Sequence, residues 1–165
     1  MSSVILIGMP GAGKSTIGVL LAKKLTMNFV DTDLLIQLAA RQPLQDIVNR
    51  QGYLRLRELE EQVLLSADLS NRVVATGGSA VYSEAAMQRL TELGPVIYLQ
   101  VGMAEIAHRL GDFAARGIAC APGHKLADIY AERVPLYERY AALTVDCEDK
   151  SKEQIVDEIA QRLKK

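Results

Sequence analysis

Between an apolar run, Val4-Ile5-Leu6-Ile7, and a helical pattern that begins near residue 14, the chain reads Gly8-Met9-Pro10-Gly11-Ala12-Gly13-Lys14-Ser15. Every fixed position of G-x-x-x-x-G-K-[ST] is filled, in the strand-to-helix setting that such a loop requires. Glycine is demanded there because side chains would keep backbone N–H groups from wrapping an anion, and because the turn uses angles that other residues avoid. The helix that follows aims its positive end at the same point. A chance match in 165 residues is on the order of one in a hundred or less. The loop predicts a nucleotide phosphate cradle over Gly11, Ala12, Gly13, Lys14, Ser15 and Thr16. Lys14 reaches the β- and γ-phosphates, and Ser15 offers its hydroxyl to Mg²⁺.

The rest of the chain alternates strand and helix patterns. Ile17, Leu20, Leu21 and Leu25 recur at helical spacing, which predicts a helix over about 14–26. Asn28-Phe29-Val30 is a short strand that stops at Asp31-Thr32-Asp33, and Leu34, Leu35 and Leu38 return to the helical period. From Pro43 to Leu69 the pattern is helical, broken at Gln51-Gly52. Two further buried-type strands, Arg72–Thr76 and Pro95–Val101, are each followed by helical segments opening near Ser83 and Ala104. Residues 112–125 lose periodicity and read as a lid-like loop. Helical pattern resumes at Leu126, and Pro135 predicts a break or a new first turn. Leu143-Thr144-Val145 is a last strand. A final helix opens on a Ser151/Gln154 capping box and buries Ile155, Val156, Ile159 and Leu163. Uninterrupted apolar strands alternating with helices predict an α/β fold, a three-layer α/β/α sandwich on a five-stranded parallel sheet with right-handed crossovers.

Composition narrows the function. A single domain of 49% hydrophobic and 24% charged residues with a net charge of −1 has no broad attraction for nucleic acid or anionic lipid, so the expected partners are small molecules. Cys120 and Cys147 lack metal-ligand spacing and read as reduced bystanders. Met1-Ser2-Ser3 leads straight into the motif-bearing run without a signal-peptide pattern, which predicts a cytoplasmic address. Neither N-K-x-D nor D-x-x-G occurs, and one small domain leaves little for a mechanical ATPase to move, so a kinase is the economical reading.

Asp31 and Asp33 end the second strand. Spacing of two on an extended segment puts both carboxylates on one side, where one could hold the Mg²⁺ shell and the other orient the attacking hydroxyl and take its proton. Either could instead cap the next helix. Taken alone, Arg57 reads as a surface partner of Glu61, and Arg133 as a solvated charge near Glu132 and Glu138.

The P-loop through Thr16, Asp31-Thr32-Asp33, Arg57 with Glu58 and Glu60, Gly77-Gly78, and Arg133 with Pro135-Leu136-Tyr137 follow one another as in shikimate kinases. The chain resembles that family over essentially its whole length. The resemblance implies a P-loop fold of the nucleoside-monophosphate-kinase type, with a helical substrate-binding insert at about 33–61 and a lid at about 111–125. It implies ATP-dependent phosphorylation of shikimate, with ATP as co-substrate, Mg²⁺ as cofactor and a monomer as the working unit. Lys14, Asp33 and Arg116 are then catalytic, with Asp33 the acceptor clamp and base. Arg109 packs on adenine, Ser15 and Asp31 hold the metal, and Asp33, Arg57, Gly77, Gly78 and Arg133 bind the acceptor carboxylate and ring. A guanidinium fork matches a carboxylate, which agrees in kind.

Three positions depart from the family pattern. Gly-Gly-Gly reads Gly77-Gly78-Ser79, which adds a hydroxyl where substrate lies close to the backbone. The lid motif Arg-Pro-Leu-Leu reads Arg116-Gly117-Ile118-Ala119, which keeps the arginine and loses the stiff turn. Leu56 stands where the family tends to have Phe. These changes leave open a kinase for another small hydroxylated acceptor, such as a sugar acid or hydroxy amino acid. A module that binds nucleotide without transfer would have no need of Asp33.

Overall fold

The computed structural model describes residues 2–111 and 117–165. Its organising element is β1 (Val4–Ile7), in which every residue is buried. A strand covered on both faces must lie inside a parallel sheet with helices on either side. β1 pairs in parallel with β3 (Arg72–Ala75) through Ile5 and Val74, and with β4 (Val96–Gln100) through Ile5 and Val96. β2 (Asn28–Asp31) adds outside β3 and β5 (Leu143–Asp146) outside β4, giving the order β2-β3-β1-β4-β5. The P-loop thus leaves the carboxyl end of the central strand, the rim at which parallel α/β sheets bind ligands.

Helices occupy the expected stretches. They are α1 (Lys14–Leu25), α2 (Thr32–Ala40), α3 (Leu44–Gln51), α4 (Tyr53–Ser66), α5 (Glu84–Leu93), α6 (Met103–Leu110), α7 (Leu126–Tyr140) and α8 (Lys152–Arg162). The break at Gln51-Gly52 divides α3 from α4, and the Ser151/Gln154 box closes through reciprocal bonds of 2.8 and 3.1 Å. Ile155, Val156 and Ile159 are buried with Ala160, whereas Leu163 lies past the helix end and is only half-buried.

Two expectations change. Asp31 and Asp33 do not share an extended segment, because the helix begins at Thr32 and Asp31 is its N-cap, accepting the Asp33 amide at 2.9 Å. Nor does Pro135 break α7, which runs through it. Proline removes one bond to the preceding turn at a cost of about 3 kcal/mol. Ile129, Arg133 and Tyr137, the buried face on both sides of it, hold the helix straight on through tertiary contacts.

The sheet core carries most of the apolar burial, and α2–α4 enclose a second cluster of Ile36, Ile47 and Leu56 that also takes Ala119. The start of β1 is clamped. Ser3 N–H donates to Leu93 O at 2.9 Å and Ser3 Oγ to Leu69 O at 2.7 Å, while a Cβ on Gly94 would stand 1.8 Å from Ser3 O. Gly94→Ala must push β1 away from β4. It is expected to cost about 2–3 kcal/mol and lower the melting midpoint by about 5–10 °C in calorimetry, whereas an unaltered midpoint would show that the clamp yields freely.

Candidate active site

The P-loop enters α1 through Gly13, whose φ of 98° is a left-handed conformation that glycine adopts without steric cost. No side chain caps α1, so its first amides remain open to an anion. Lys14 is 8% exposed and donates through Nζ to Gly8 O at 2.7 Å and Met9 O at 2.8 Å. Burial lowers its pKa to about 8, against the opposing pull of Asp33, Glu60 and Asp31. The ammonium is held by loop carbonyls and stays charged at neutral pH.

Ser15 Oγ donates to Asp31 Oδ2 at 2.6 Å, while Asp31 Oδ1 caps α2. The pair presents hard oxygen donors beside the cradle, a set that suits Mg²⁺, which binds through one or two carboxylates and completes its shell with water and phosphate oxygens. No group of three His, Cys, Asp or Glu residues among the described residues could form a protein-only metal cage.

A cavity of about 320 Å³ opens between the P-loop and α2–α4, lined by Lys14, Ser15, Asp33, Glu60, Gly77, Gly78 and Arg133 among others. Asp33 turns into it from the first turn of α2. Burial, and then the Asp31 charge, raises the Asp33 pKa. Gly77 and Gly78 are glycines because charge crowds them. A Cβ on Gly77 would meet Asp33 Oδ1 at 2.6 Å and Glu60 Oε1 at 2.8 Å, and one on Gly78 would meet Arg133 Nη1 at 2.8 Å. Tyr137 fixes this strip by donating to Gly78 O at 2.6 Å.

Arg133 is 1% exposed, buried rather than solvated. Its Nη2 donates to Ala119 O at 3.0 Å and its Nε to the Tyr82 hydroxyl at 3.2 Å. Arg57 also donates to Ala119 O, from Nε and Nη2 at 3.2 and 3.1 Å, and its guanidinium lies 3.7 Å from the Tyr82 ring centroid. Glu61 accepts from Ser83 instead of pairing with Arg57. Among the described residues neither arginine forms an ion pair with a carboxylate. Arg57 borders an adjacent cavity of about 350 Å³, reached past Glu60 and Ser79, and does not line the central one.

Arg109 donates to Gly11 O at 3.1 Å and pairs with Glu105 at 2.9 Å. It stands where the central cavity meets another, of about 530 Å³, between the P-loop and the Cys147–Glu153 turn. Thr16 lines both, whereas the Ala12 side chain is buried and leaves only backbone to the cradle. Gly117 takes a φ of 62°, which proline cannot adopt, and packs on α3 with its amide bonded to Gln45 Oε1 at 2.5 Å. Arg116 lies outside the described residues.

Sequence reasoning assigned no role to Glu60, Tyr82 or Tyr137. Glu60 had a signal, since it sits between Leu56 and Leu64 at spacings of four on the buried face of α4. Arg133 sits in the same way between Ile129 and Tyr137 on α7. A charge in the middle of an apolar stripe is costly unless it serves a purpose.

A P-loop on the central strand, facing Asp33, Glu60 and the buried Arg133 across a small cavity, defines a P-loop small-molecule kinase. A family model for shikimate kinases matches residues 10–164. The chain is 33% identical to the shikimate kinase of a Sulfurihydrogenibium species over 166 residues, covering 100% of this chain and 99% of that protein. It is 36% identical to that of Mycobacterium avium over 162 residues, covering 96% and 92%. The structure of shikimate kinase from Acinetobacter baumannii in complex with shikimate superposes with a TM-score of 0.90 at 27% identity, covering 99% of this chain and 93% of that one. The chain belongs to the shikimate kinase family.

Burial, and then the Asp33 charge, raises the Glu60 pKa. Folding therefore favours protonated Glu60, and that stability is full below the ordinary carboxyl pKa and lost as pH rises toward the raised one. Glu60→Gln, which is neutral throughout, is expected to be more stable than the parent by about 1–3 kcal/mol at about pH 8, with the gain vanishing near about pH 4.5. Denaturant melts at the two pH values test this, and a loss of stability at the higher one contradicts it.

Proposed function

We propose that this chain transfers the γ-phosphate of ATP to a ring hydroxyl of shikimate. The observation that carries this is the buried Arg133 guanidinium, bonded among the described residues only to neutral oxygens, on the wall of a cavity that also holds Asp33 and the P-loop lysine. A buried cation without a carboxylate partner favours an anionic ligand, and the facing acid favours a hydroxyl. Family membership supports shikimate over a sugar acid or hydroxy amino acid.

Each residue has a share of the work. Amides from Gly11 to Thr16 wrap the β-phosphate, and Lys14 exchanges the Gly8 and Met9 carbonyls for phosphate oxygens. The nucleoside extends along Arg109 into the 530 Å³ cavity. Ser15 and Asp31 would hold Mg²⁺, which when bound would neutralise phosphate charge. Arg57 and Arg133 exchange Ala119 O for the acceptor carboxylate, and the Gly77-Gly78 backbone lies against the ring. Asp33 aligns the attacking hydroxyl and takes its proton as that oxygen bonds to the γ-phosphorus, and the β,γ-bridging oxygen departs with ADP. Arg116 keeps the role on the transferring phosphate that family resemblance gives it. The insert at about 33–61 supplies the acceptor wall and the segment at about 111–125 the lid. All of these residues belong to one chain, so a monomer is the proposed working unit, and the cytoplasm is its proposed address. No helix among the described residues is long and apolar enough to cross a membrane.

A coupled ADP-release assay with Mg·ATP, comparing shikimate with sugar acids and hydroxy amino acids, tests the proposal against Lys14→Met as blank. Shikimate-dependent turnover well above the panel is expected, and silence with shikimate overturns it. Asp33→Asn is expected to lower kcat by about 100-fold or more with the ATP KM nearly unaltered. Arg57→Ala is expected to raise the acceptor KM by about 10- to 100-fold, the loss of a charge-assisted bond, and an unaltered KM removes Arg57 from the acceptor site.

A further inference from the structure

Tyr82 stands between the two arginines of the site. It closes a single 3₁₀ turn, Ala80–Tyr82, that follows Gly77-Gly78-Ser79 directly. Ala80 and Val81 enter the core, and the Tyr82 amide donates to Ser79 O at 3.2 Å. The Tyr82 ring is left half-buried on the wall of the adjacent cavity, beside Arg57. The Arg57 guanidinium lies 3.7 Å from the ring centroid and that of Arg133 lies 5.3 Å from it, whereas Tyr53 stands farther from Arg57, at 5.0 Å. The Tyr82 hydroxyl donates to Glu132 Oε1 at 2.5 Å and accepts from Arg133 Nε at 3.2 Å.

Two cations converge here on one neutral oxygen, Ala119 O. The carboxylates nearest to them in the chain are engaged elsewhere: Glu58 pairs with Arg55, Glu61 accepts from Ser83, and Glu132 accepts from Tyr82. A neutral group must therefore order the guanidiniums if their charge is to stay available to a ligand. An aromatic face does so, because its quadrupole attracts a cation without cancelling the charge. The hydroxyl adds a second hold, since its proton is committed to Glu132 and its oxygen is left to accept from Arg133.

We propose that Tyr82 is a positioning residue for acceptor binding. Its ring orders Arg57 and its hydroxyl orders Arg133, so that both guanidiniums are already converged when an anionic acceptor displaces Ala119 O. The inference rests on the proposed reading in which these arginines take the acceptor carboxylate. Two long side chains that are ordered beforehand lose less entropy on binding. The effect falls on acceptor affinity rather than on transfer, because Tyr82 borders the adjacent cavity and does not line the central one.

The test compares Tyr82→Phe and Tyr82→Leu with the parent, in the full chain, by steady-state kinetics on shikimate and by NMR of the arginine side chains. Tyr82→Leu is expected to raise the shikimate KM about 5- to 20-fold, with kcat and the ATP KM within about twofold. Tyr82→Phe keeps the ring and raises the shikimate KM about two- to threefold. In an Arg57→Ala background Tyr82→Leu adds no more than about threefold, because most of its effect passes through Arg57. A merely structural Tyr82 would act equally in both backgrounds and would move the ATP KM as well. An unaltered shikimate KM in Tyr82→Leu overturns the proposal, and so does full additivity with Arg57→Ala. In the unliganded parent the Arg57 side-chain protons are expected upfield of their ordinary position, since they lie over a ring face, and Tyr82→Leu moves them back. Parent enzyme silent toward shikimate overturns the proposed function instead. Tyr82 is then decided by the NMR signals, where an Arg57 signal that Tyr82→Leu leaves unmoved overturns the proposal and one that it moves downfield upholds it.

Discussion

Charged side chains from three helices press on the backbone at Gly77 and Gly78, and one wall of the central cavity depends on that contact. Asp33 from α2, Glu60 from α4 and Arg133 from α7 come so close that a single added carbon at either glycine would collide with them. The strip is held from below by Thr76, which donates through its amide and hydroxyl to Leu6 O at the end of the central strand, and from the side by Tyr137. Rigid backbone at the carboxyl rim of a buried sheet thereby sets where three mobile charges can rest. The P-loop leaves the same rim one strand away, so the distance between it and the Gly77-Gly78 strip is fixed by strand pairing rather than by loops.

The two arginines are managed in a complementary way. Both guanidiniums donate to one neutral carbonyl, Ala119 O, while Tyr82 stacks under Arg57 and accepts from Arg133. The cations are thus ordered without being neutralised, so their charge remains available to a ligand. Ala119 belongs also to the apolar cluster enclosed by α2–α4, and Gly117 is tied to Gln45 on α3. The stretch from Gly117 to Ala119 is therefore packed on α2–α4 and on Arg57 and Arg133 together. Gly117, which reads in the sequence as the loss of a stiff proline turn, is the residue whose left-handed backbone permits that close approach.

Much of this is legible in the sequence, for reasons that differ from residue to residue. The P-loop announces itself because its chemistry lies in backbone and spacing, which a string of letters carries directly. Strand β1 and the α8 capping box are legible because they are set by neighbours within a few positions. Pro135 misleads, because local preference predicts a break while the contacts of Arg133 and Tyr137, distant in sequence, hold the helix together. Asp31 and Asp33 stand out as a pair, but their geometry turns on where one helix begins. Glu60 and Arg133 each leave a trace as a charge inside an apolar stripe, yet a stripe reveals only that a charge is buried and not what it faces.

The sequence by itself determined the parallel α/β architecture, the phosphate cradle and the family, since local periodicity, motif spacing and order along the chain contain all three. Only the tertiary structure decided that Arg133 is buried and, among the described residues, makes no ion pair with a carboxylate, that Arg57 stands one cavity aside, and that Glu60 shares one oxygen with Ser79 and turns the other toward Asp33. Those are relations among residues far apart in the chain. Their energies arise from desolvation and from contacts that exist only once α2, α4 and α7 have closed over the rim of the sheet.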